Sequence, residues 1–217
     1  SSNTISRLLE ILDKKKLLKN KKFQIIIKKN IPSKAGLGGG SMNAAAILKF
    51  LMKKKLIKIS SQEMNEVCHL IGSDVILGLH SNHLVLKSNN MIKNFLIKNN
   101  IFTLIVKPSF GCSTKNIYSK IKKFKKAEFN HPVKSMFHLD FLKRMDNDLE
   151  RIALIKYPKL SSLKKFLEKL SKVEFVRMTG SGSAIIAYFK SYKMCKEAKK
   201  KVKKKFGNYW CVTSKTI

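Results

Sequence analysis

The sequence predicts an α+β fold, because helical and strand-like segments follow one another without the regular βαβ alternation of a doubly wound sheet. Apolar residues in segment 5–12 recur at i, i+3, i+4 and i+7, which is typical of a helix with one buried face. Segments 23–29 and 101–106 are short runs rich in β-branched residues, which favours strands.

The first half of the chain is predicted to be mostly helical. Small apolar residues at 41–51 indicate a buried helix, and a second helix is expected between Ser60 and the break at 72–74. A short strand is expected at 84–87.

The polar stretch 88–100 predicts a boundary between two domains, residues 1–98 and residues 99–217. A chain of 217 residues can give two small domains a core each. The second domain is predicted to contain a strand at 101–106, helices at 115–124, 139–155 and 160–170, strands at 174–178 and 184–189, a helix at 194–206 and a strand at 209–213, with a loop at 127–132.

The composition fits a globular cytoplasmic protein. Hydrophobic residues make up 44% of the chain, and no apolar run approaches the roughly 20 residues of a membrane-spanning helix. No signal peptide is visible near Ser1. We therefore expect a cytoplasmic location and no membrane partner, and the oligomeric state stays open.

The net charge of +33 raises the alternative of a basic RNA-binding domain. Of the 46 basic residues only four are arginines, although proteins that read phosphates and bases favour the planar arginine fork. The lysines are scattered along the chain among many Ile and Asn residues, which favours a general compositional bias. We expect no nucleic-acid partner.

The cysteines are interpreted as buried thiols in a reducing compartment. They are Cys68, Cys112, Cys195 and Cys211, and they form no C-x-x-C pair. Cys68 adjoins His69, with His80 and His83 further on, but this spacing does not favour a metal site, and none is predicted.

The most distinctive feature is a glycine-rich turn directly before the helix at 41–51. Four glycines in five positions allow a ligand to approach the backbone closely, and the free N–H groups of a helix start attract phosphate. A turn needed only for chain reversal would require fewer glycines. The candidate phosphate-binding segment is Pro32, Ser33, Lys34, Ala35, Gly36, Leu37, Gly38, Gly39, Gly40, Ser41 and Met42.

This segment resembles the second motif of the GHMP kinases (galactokinase, homoserine kinase, mevalonate kinase and phosphomevalonate kinase), usually written P-x-x-x-G-L-G-S-S-A. The triple glycine 38–40 resembles one branch, the 4-diphosphocytidyl-2-C-methyl-D-erythritol kinases. Residues 71–75 resemble that branch's G-[AS]-D-V-P segment, 147–150 its N-D-L-E and 178–183 its M-[ST]-G-[ST]-G. The resemblance runs in order from about Asn3 to near the C-terminus.

The resemblance implies a two-domain GHMP kinase fold, with an N-terminal domain like ribosomal protein S5 and a ferredoxin-like C-terminal domain. It implies that ATP, with Mg²⁺, phosphorylates the 2-hydroxyl of a cytidine-diphosphate substrate in the non-mevalonate route to isoprenoid precursors. The alternatives are another GHMP kinase, such as homoserine kinase, and the non-catalytic RNA-binding domain. The triple glycine and the N-D-L-E segment favour the cytidine-diphosphate branch over homoserine kinase.

The chain departs from the family pattern at three points. Met42 stands where a second Ser is usual, and Ile76 stands where Pro is usual. The family's first motif, which carries a lysine beside the catalytic acid, has no counterpart after Ser1. We therefore expect an incomplete N-terminal domain and a poor kinase when residues 1–217 are assayed alone.

Asp74 is the candidate catalytic residue. It lies in an apolar stretch, so we expect a buried carboxylate, and its Gly-Ser-Asp context by itself favours an N-cap. The resemblance implies instead that Asp74 is the general base that accepts the proton of the substrate hydroxyl.

Three further groups are given lesser roles. The turn 180–182 fits a tight hairpin, and the resemblance implies that it also borders the active cleft. Asn147, Asp148 and Glu150 are interpreted as helix-surface residues without a metal. His131 and His138 are expected on a surface loop.

Overall fold

The structure, a computed structural model, describes residues 3–87, 91–98, 100–121 and 131–216. The chain divides into two compact units, one formed by Ser1–Ile31 with Gly38–Ser81 and the other by Pro32–Leu37 with Asn82–Ile217. The predicted domain boundary between residues 98 and 99 stays a prediction, and residue 99 lies outside the described part.

The first unit is built from three α-helices and a short 3₁₀ helix. They are α1 (Thr4–Lys14), α2 (Gly39–Lys53), α3 (Ser61–Ile71) and the 3₁₀ helix Ile76–Leu79. Asn3 caps α1, and Ser60 with Glu63 forms a capping box at α3, so the start of each of these helices is fixed by a side chain. The core of this unit is Leu8, Leu12, Leu18, Ala44, Ala45, Leu48, Leu51, Ile57, Val67, Cys68, Ile71 and Val75.

Segment 23–29 does not form the predicted strand. Phe23, Ile25 and Ile27 are half-buried, whereas Ile26 between them is exposed, so the side chains alternate as in a strand. Among the described residues the segment pairs with no other strand, and a strand exists only where its backbone groups bond to a neighbour. The prediction was wrong for this reason.

The second unit contains a hairpin and a four-stranded antiparallel sheet. The hairpin consists of β1 (His83–Leu86) and β2 (Ile92–Phe95). The sheet has the order β4-β5-β3-β6. Its strands are β3 (Phe102–Lys107), β4 (Phe175–Met178), β5 (Ile185–Phe189) and β6 (Trp210–Lys215). The helices are α4 (Thr114–Tyr118), α5 (Leu139–Arg144), α6 (Asp148–Lys156), α7 (Pro158–Glu168) and α8 (Tyr192–Lys205).

The sheet and its helices have ferredoxin-like connectivity. From β3 the chain passes through helices to β4, turns directly into β5 and returns through α8 to β6, which is the β-α-β-β-α-β order. In β5 the side chains of Ile185, Ala187 and Phe189 are fully buried and belong to the core that α7 and α8 also line. The α+β prediction and the ferredoxin-like second domain are therefore confirmed.

Two predicted helices differ from the expectation, one because it is divided and the other because it is shorter. The helix predicted at 139–155 is divided into α5 and α6, because Asn147 caps a new helix at Asp148. The helix predicted at 115–124 ends at Tyr118, and residues 122–130, which include most of the predicted loop 127–132, lie outside the described residues. None of the described helices is long and apolar enough to cross a membrane.

Candidate active site

The glycine-rich turn leads into the uncapped N-terminus of α2. Gly38 is the N-cap residue, with φ of 63°, and no side chain bonds to the first turn, which begins at Gly39. The carbonyl of Gly38 accepts the amide of Met42 at 2.9 Å. The amides of Gly39, Gly40 and Ser41 precede the first intrahelical bond, so this helix start is suited to an anion.

The two glycines that open α2 have different surroundings. A Cβ added to Gly39 would meet nothing within 4 Å, so the backbone there borders open space. A Cβ on Gly40 would lie 3.3 Å from the side chain of Thr4, whose hydroxyl donates to the Gly40 carbonyl at 2.9 Å. Gly39 is therefore the position where a ligand can approach the backbone.

Asp74 lies beside this helix start. Its Oδ2 is 4.0 Å from the position that a Cβ on Gly38 would occupy, and the hydroxyl of Ser73 donates to its Oδ1 at 3.4 Å. The side chain is exposed, so the expected burial was wrong. The N-cap of the 3₁₀ helix that follows is Val75, without a side-chain bond, so Asp74 does not act as a cap there. The structure thus brings two predicted parts of the site together.

Gly78 holds the turn that carries Asp74 against α2. A Cβ on Gly78 would lie 2.6 Å from the Cβ of Ala45 and 3.0 Å from the sulfur of Met42. Met42, which departs from the family pattern, therefore packs on this turn. Sequence reasoning missed Gly78, although a glycine within the apolar run 75–79 is a signal of close packing.

In the second unit, Pro32–Leu37 runs beside the turn that follows β4. Gly36 has φ of 69°, and a Cβ there would lie 2.2 Å from the Thr179 carbonyl oxygen. The Thr179 hydroxyl donates to the Gly36 carbonyl at 3.0 Å, and the amide of Ala184 donates to the Ala35 carbonyl at 3.0 Å. The turn 179–182 is thus more than a hairpin connection, because it supports the first half of the glycine segment.

Asn147 and Glu150 are not the helix-surface residues that we expected. The side-chain amide of Asn147 donates to the carbonyls of Met178 and Gly180, both at 2.8 Å. The carboxylate of Glu150 accepts the Met178 amide and pairs with Lys164. Asp148 is exposed, as predicted. The described residues contain no cluster of three or more His, Cys, Asp and Glu side chains that could hold a metal ion.

The histidines and cysteines have the exposure that the sequence predicted, whereas the reducing compartment stays a prediction. His131 and His138 are exposed. All four cysteines are buried. Burial raises the pKa of Cys68, Cys112 and Cys195 to about 11, so these thiols are protonated and unreactive at neutral pH.

Comparisons with known proteins decide the family. A family model described as the GHMP kinases N terminal domain matches residues 3–84. The chain is 54% identical to the 4-diphosphocytidyl-2-C-methyl-D-erythritol kinase of Pelagibacter ubique over 215 residues. This alignment includes 99% of this chain and 76% of the relative. The chain belongs to the 4-diphosphocytidyl-2-C-methyl-D-erythritol kinase family.

Solved structures agree with this kinase family at the level of the fold. A crystal structure of 4-(cytidine 5'-diphospho)-2C-methyl-D-erythritol kinase superposes with a TM-score of 0.77 and 21% sequence identity. The match includes 98% of this chain and 78% of the chain in that structure. A crystal structure of homoserine kinase from Cytophaga hutchinsonii superposes with a TM-score of 0.68 and 15% sequence identity. This match includes 99% of this chain and 76% of the chain in that structure. The resemblance to GHMP kinases, and to this branch of them, is confirmed.

Proposed function

We propose that this protein transfers the γ-phosphoryl group of ATP to the 2-hydroxyl of 4-diphosphocytidyl-2-C-methyl-D-erythritol, in the non-mevalonate route to isoprenoid precursors. The observation that carries this proposal is the uncapped start of α2 with the exposed carboxylate of Asp74 beside it. Membership of the kinase family supports it, as do the names of the relatives.

The start of α2 supplies the binding site for the ATP phosphates. The amides of Gly39, Gly40 and Ser41 donate to phosphate oxygens, and the helix dipole favours the negative charge. Because Gly39 carries no side chain, the phosphates can reach the backbone. The rest of the segment Pro32–Met42 shapes the approach to this helix start.

Asp74 acts as the general base. Its carboxylate accepts the proton of the substrate hydroxyl, and the hydroxyl oxygen forms a new bond to the γ-phosphorus. The bond between the γ-phosphorus and the oxygen that bridges to the β-phosphate breaks, and ADP leaves with that electron pair. Exposure of Asp74 leaves its carboxylate accessible to a substrate.

The residues present fit a Mg²⁺ ion that is held mainly by ATP. Mg²⁺ commonly binds through one or two carboxylates together with substrate phosphates, and needs no cage of protein ligands. The described residues offer no cluster of protein ligands for a metal, so the ATP phosphates would hold the ion and Asp74 keeps its role as the base. Bound there, the ion would neutralise charge on the phosphates.

The test is a substrate comparison with the complete product of the gene that encodes this chain. ADP release from ATP is measured with 4-diphosphocytidyl-2-C-methyl-D-erythritol, with homoserine and with no acceptor. We expect turnover only with the first compound, and a product that carries one new phosphate on the 2-oxygen. If homoserine were the only acceptor that supports turnover, this proposal would be wrong and the protein would be a homoserine kinase. The cytoplasmic location and the lack of a nucleic-acid partner remain predictions.

A further inference from the structure

We propose that Asn147 and Glu150 are positioning residues for the nucleotide site. Together with Lys164 they form a clamp, named here the α6 clamp, that fixes the backbone of the turn 179–182. That turn also fixes Gly36, which belongs to the proposed phosphate-binding segment. This inference rests on the proposed function.

Asn147 uses both ends of its side-chain amide. The oxygen accepts the amide of Leu149 at 3.0 Å and so caps α6, while the nitrogen donates to the carbonyls of Met178 and Gly180 at 2.8 Å. A residue needed only as a cap requires an acceptor and no donor. The two donated bonds therefore have a purpose outside the helix, at the end of β4 and within the turn.

Glu150 extends the clamp by one turn of α6. Its carboxylate accepts the backbone amide of Met178 and pairs with the ammonium group of Lys164 from α7. The Glu150 side chain is only 12% exposed. A hydrogen bond to a charged group is stronger than one between neutral groups, and partial burial protects it from solvent. Met178 is thus held at its amide by Glu150 and at its carbonyl by Asn147.

The clamped turn leaves little freedom to the start of the glycine segment. The Gly36 backbone lies so close to the Thr179 carbonyl that no side chain fits there, and the amides of Ser183 and Ala184 bond to the carbonyls of Lys34 and Ala35. If the turn shifted, these contacts would be lost. Lys34, Ala35 and Gly36, which belong to the proposed phosphate-binding segment, would then lose their support, and ATP would bind more weakly.

Asn147→Asp and Asn147→Ser remove the two bonds that Asn147 donates to the turn but keep an acceptor that can cap α6. Asp and Ser are both good N-cap residues, so α6 should persist in both variants. Neither can donate to the two carbonyls, and the Ser variant adds no charge. Ser191→Asp is the matched control, because Ser191 caps α8 through the amide of Met194 and Asp is also a good N-cap residue.

The experiment measures ATP affinity, turnover and amide hydrogen exchange in the complete gene product. We expect both Asn147 variants to raise the ATP dissociation constant by roughly tenfold, in line with the loss of two neutral hydrogen bonds. Amides 179–184 should exchange faster while those of α6 stay protected, and kcat at saturating ATP should fall much less than the affinity. Ser191→Asp should change none of these.

The two proposals can fail separately. Wild-type protein that binds no ATP overturns the proposed function, and this inference with it. Wild-type binding together with unchanged affinity in both Asn147 variants overturns this inference alone, as does faster exchange that is confined to α6.

Discussion

At the scale of single residues, Gly39 is the point where a side chain and a phosphate would compete for the same space. Its backbone is helical, and a Cβ there would contact no other atom of the protein. The protein itself therefore gives no packing reason for a glycine. Glycine usually costs a helix about 0.5–1 kcal/mol relative to alanine, and the proposed phosphate site would account for a glycine here.

Replacing Gly39 should separate stability from binding. We expect Gly39→Ala to leave the melting temperature unchanged or higher while weakening ATP binding, and Gly39→Val to abolish binding in a folded protein. Calorimetric titration with ATP, thermal melting and far-ultraviolet circular dichroism measure these effects. Gly207→Ala is the control, since a Cβ there would make only an ordinary contact at 3.6 Å. Unchanged ATP affinity in folded Gly39→Val would refute the phosphate site.

Asp74 offers a test of the chemistry. Because the side chain is exposed, Asp74→Asn should leave the melting temperature nearly unchanged. ATP should still bind, whereas kcat should fall by roughly two orders of magnitude or more, as expected on removal of a general base. Asp13→Asn, an exposed acid in α1, is the matched control. If the Asp74 variant turned over at the wild-type rate, the carboxylate would have no catalytic role.

At the scale of elements, sequence patterns predicted the helices and strands that depend on residues close together in the chain. The apolar run 184–189 formed a buried strand, and the small apolar residues at 41–51 formed a buried helix, because a continuous apolar run indicates a buried element. The cap that Asn147 forms at α6 is local, whereas its two bonds to the end of β4 and the following turn join residues about thirty positions apart, which local patterns do not show. Gly78 within an apolar run signalled a close approach, but sequence spacing did not show that the neighbouring element is α2.

The close approach of Gly78 to α2 positions the turn that carries Asp74, and a substitution at Gly78 tests this. In Gly78→Ala the new methyl group would lie 2.6 Å from the buried Cβ of Ala45, so the 3₁₀ helix must shift away from α2. We expect a loss of about 1–3 kcal/mol in unfolding free energy, and a fall in kcat because Asp74 moves with the turn. Chemical denaturation and steady-state kinetics measure the two effects.

A second substitution makes this test specific. Ala45→Gly removes the methyl group that Gly78→Ala would strike, so the double variant should regain kcat even though glycine costs α2 some stability. Additive losses in the double variant would show that the clash is not the cause.

At the scale of the whole molecule, the dominant property is the net charge of +33. The lysines are scattered along the sequence, so we expect them to act as a general positive field rather than as a defined surface. Such a field speeds the approach of anions such as ATP, and salt weakens it, since the screening length shortens from about 10 Å at 0.1 M to about 3 Å at 1 M. The same field would also attract RNA.

Salt dependence distinguishes steering of a substrate from RNA binding. We expect kcat/KM for ATP to fall severalfold as potassium chloride rises from about 0.05 M to about 0.5 M, while kcat at saturating ATP changes little, because screening affects encounter and not the chemical step. Sucrose at equal osmolarity is the control. Polyuridylic acid should inhibit at the lowest salt and lose its effect steeply as salt rises, as binding to single strands by lysine charge alone does. Inhibition by this RNA that persisted at 0.5 M salt, or kcat/KM that ignored salt, would contradict the view of these lysines as a diffuse field.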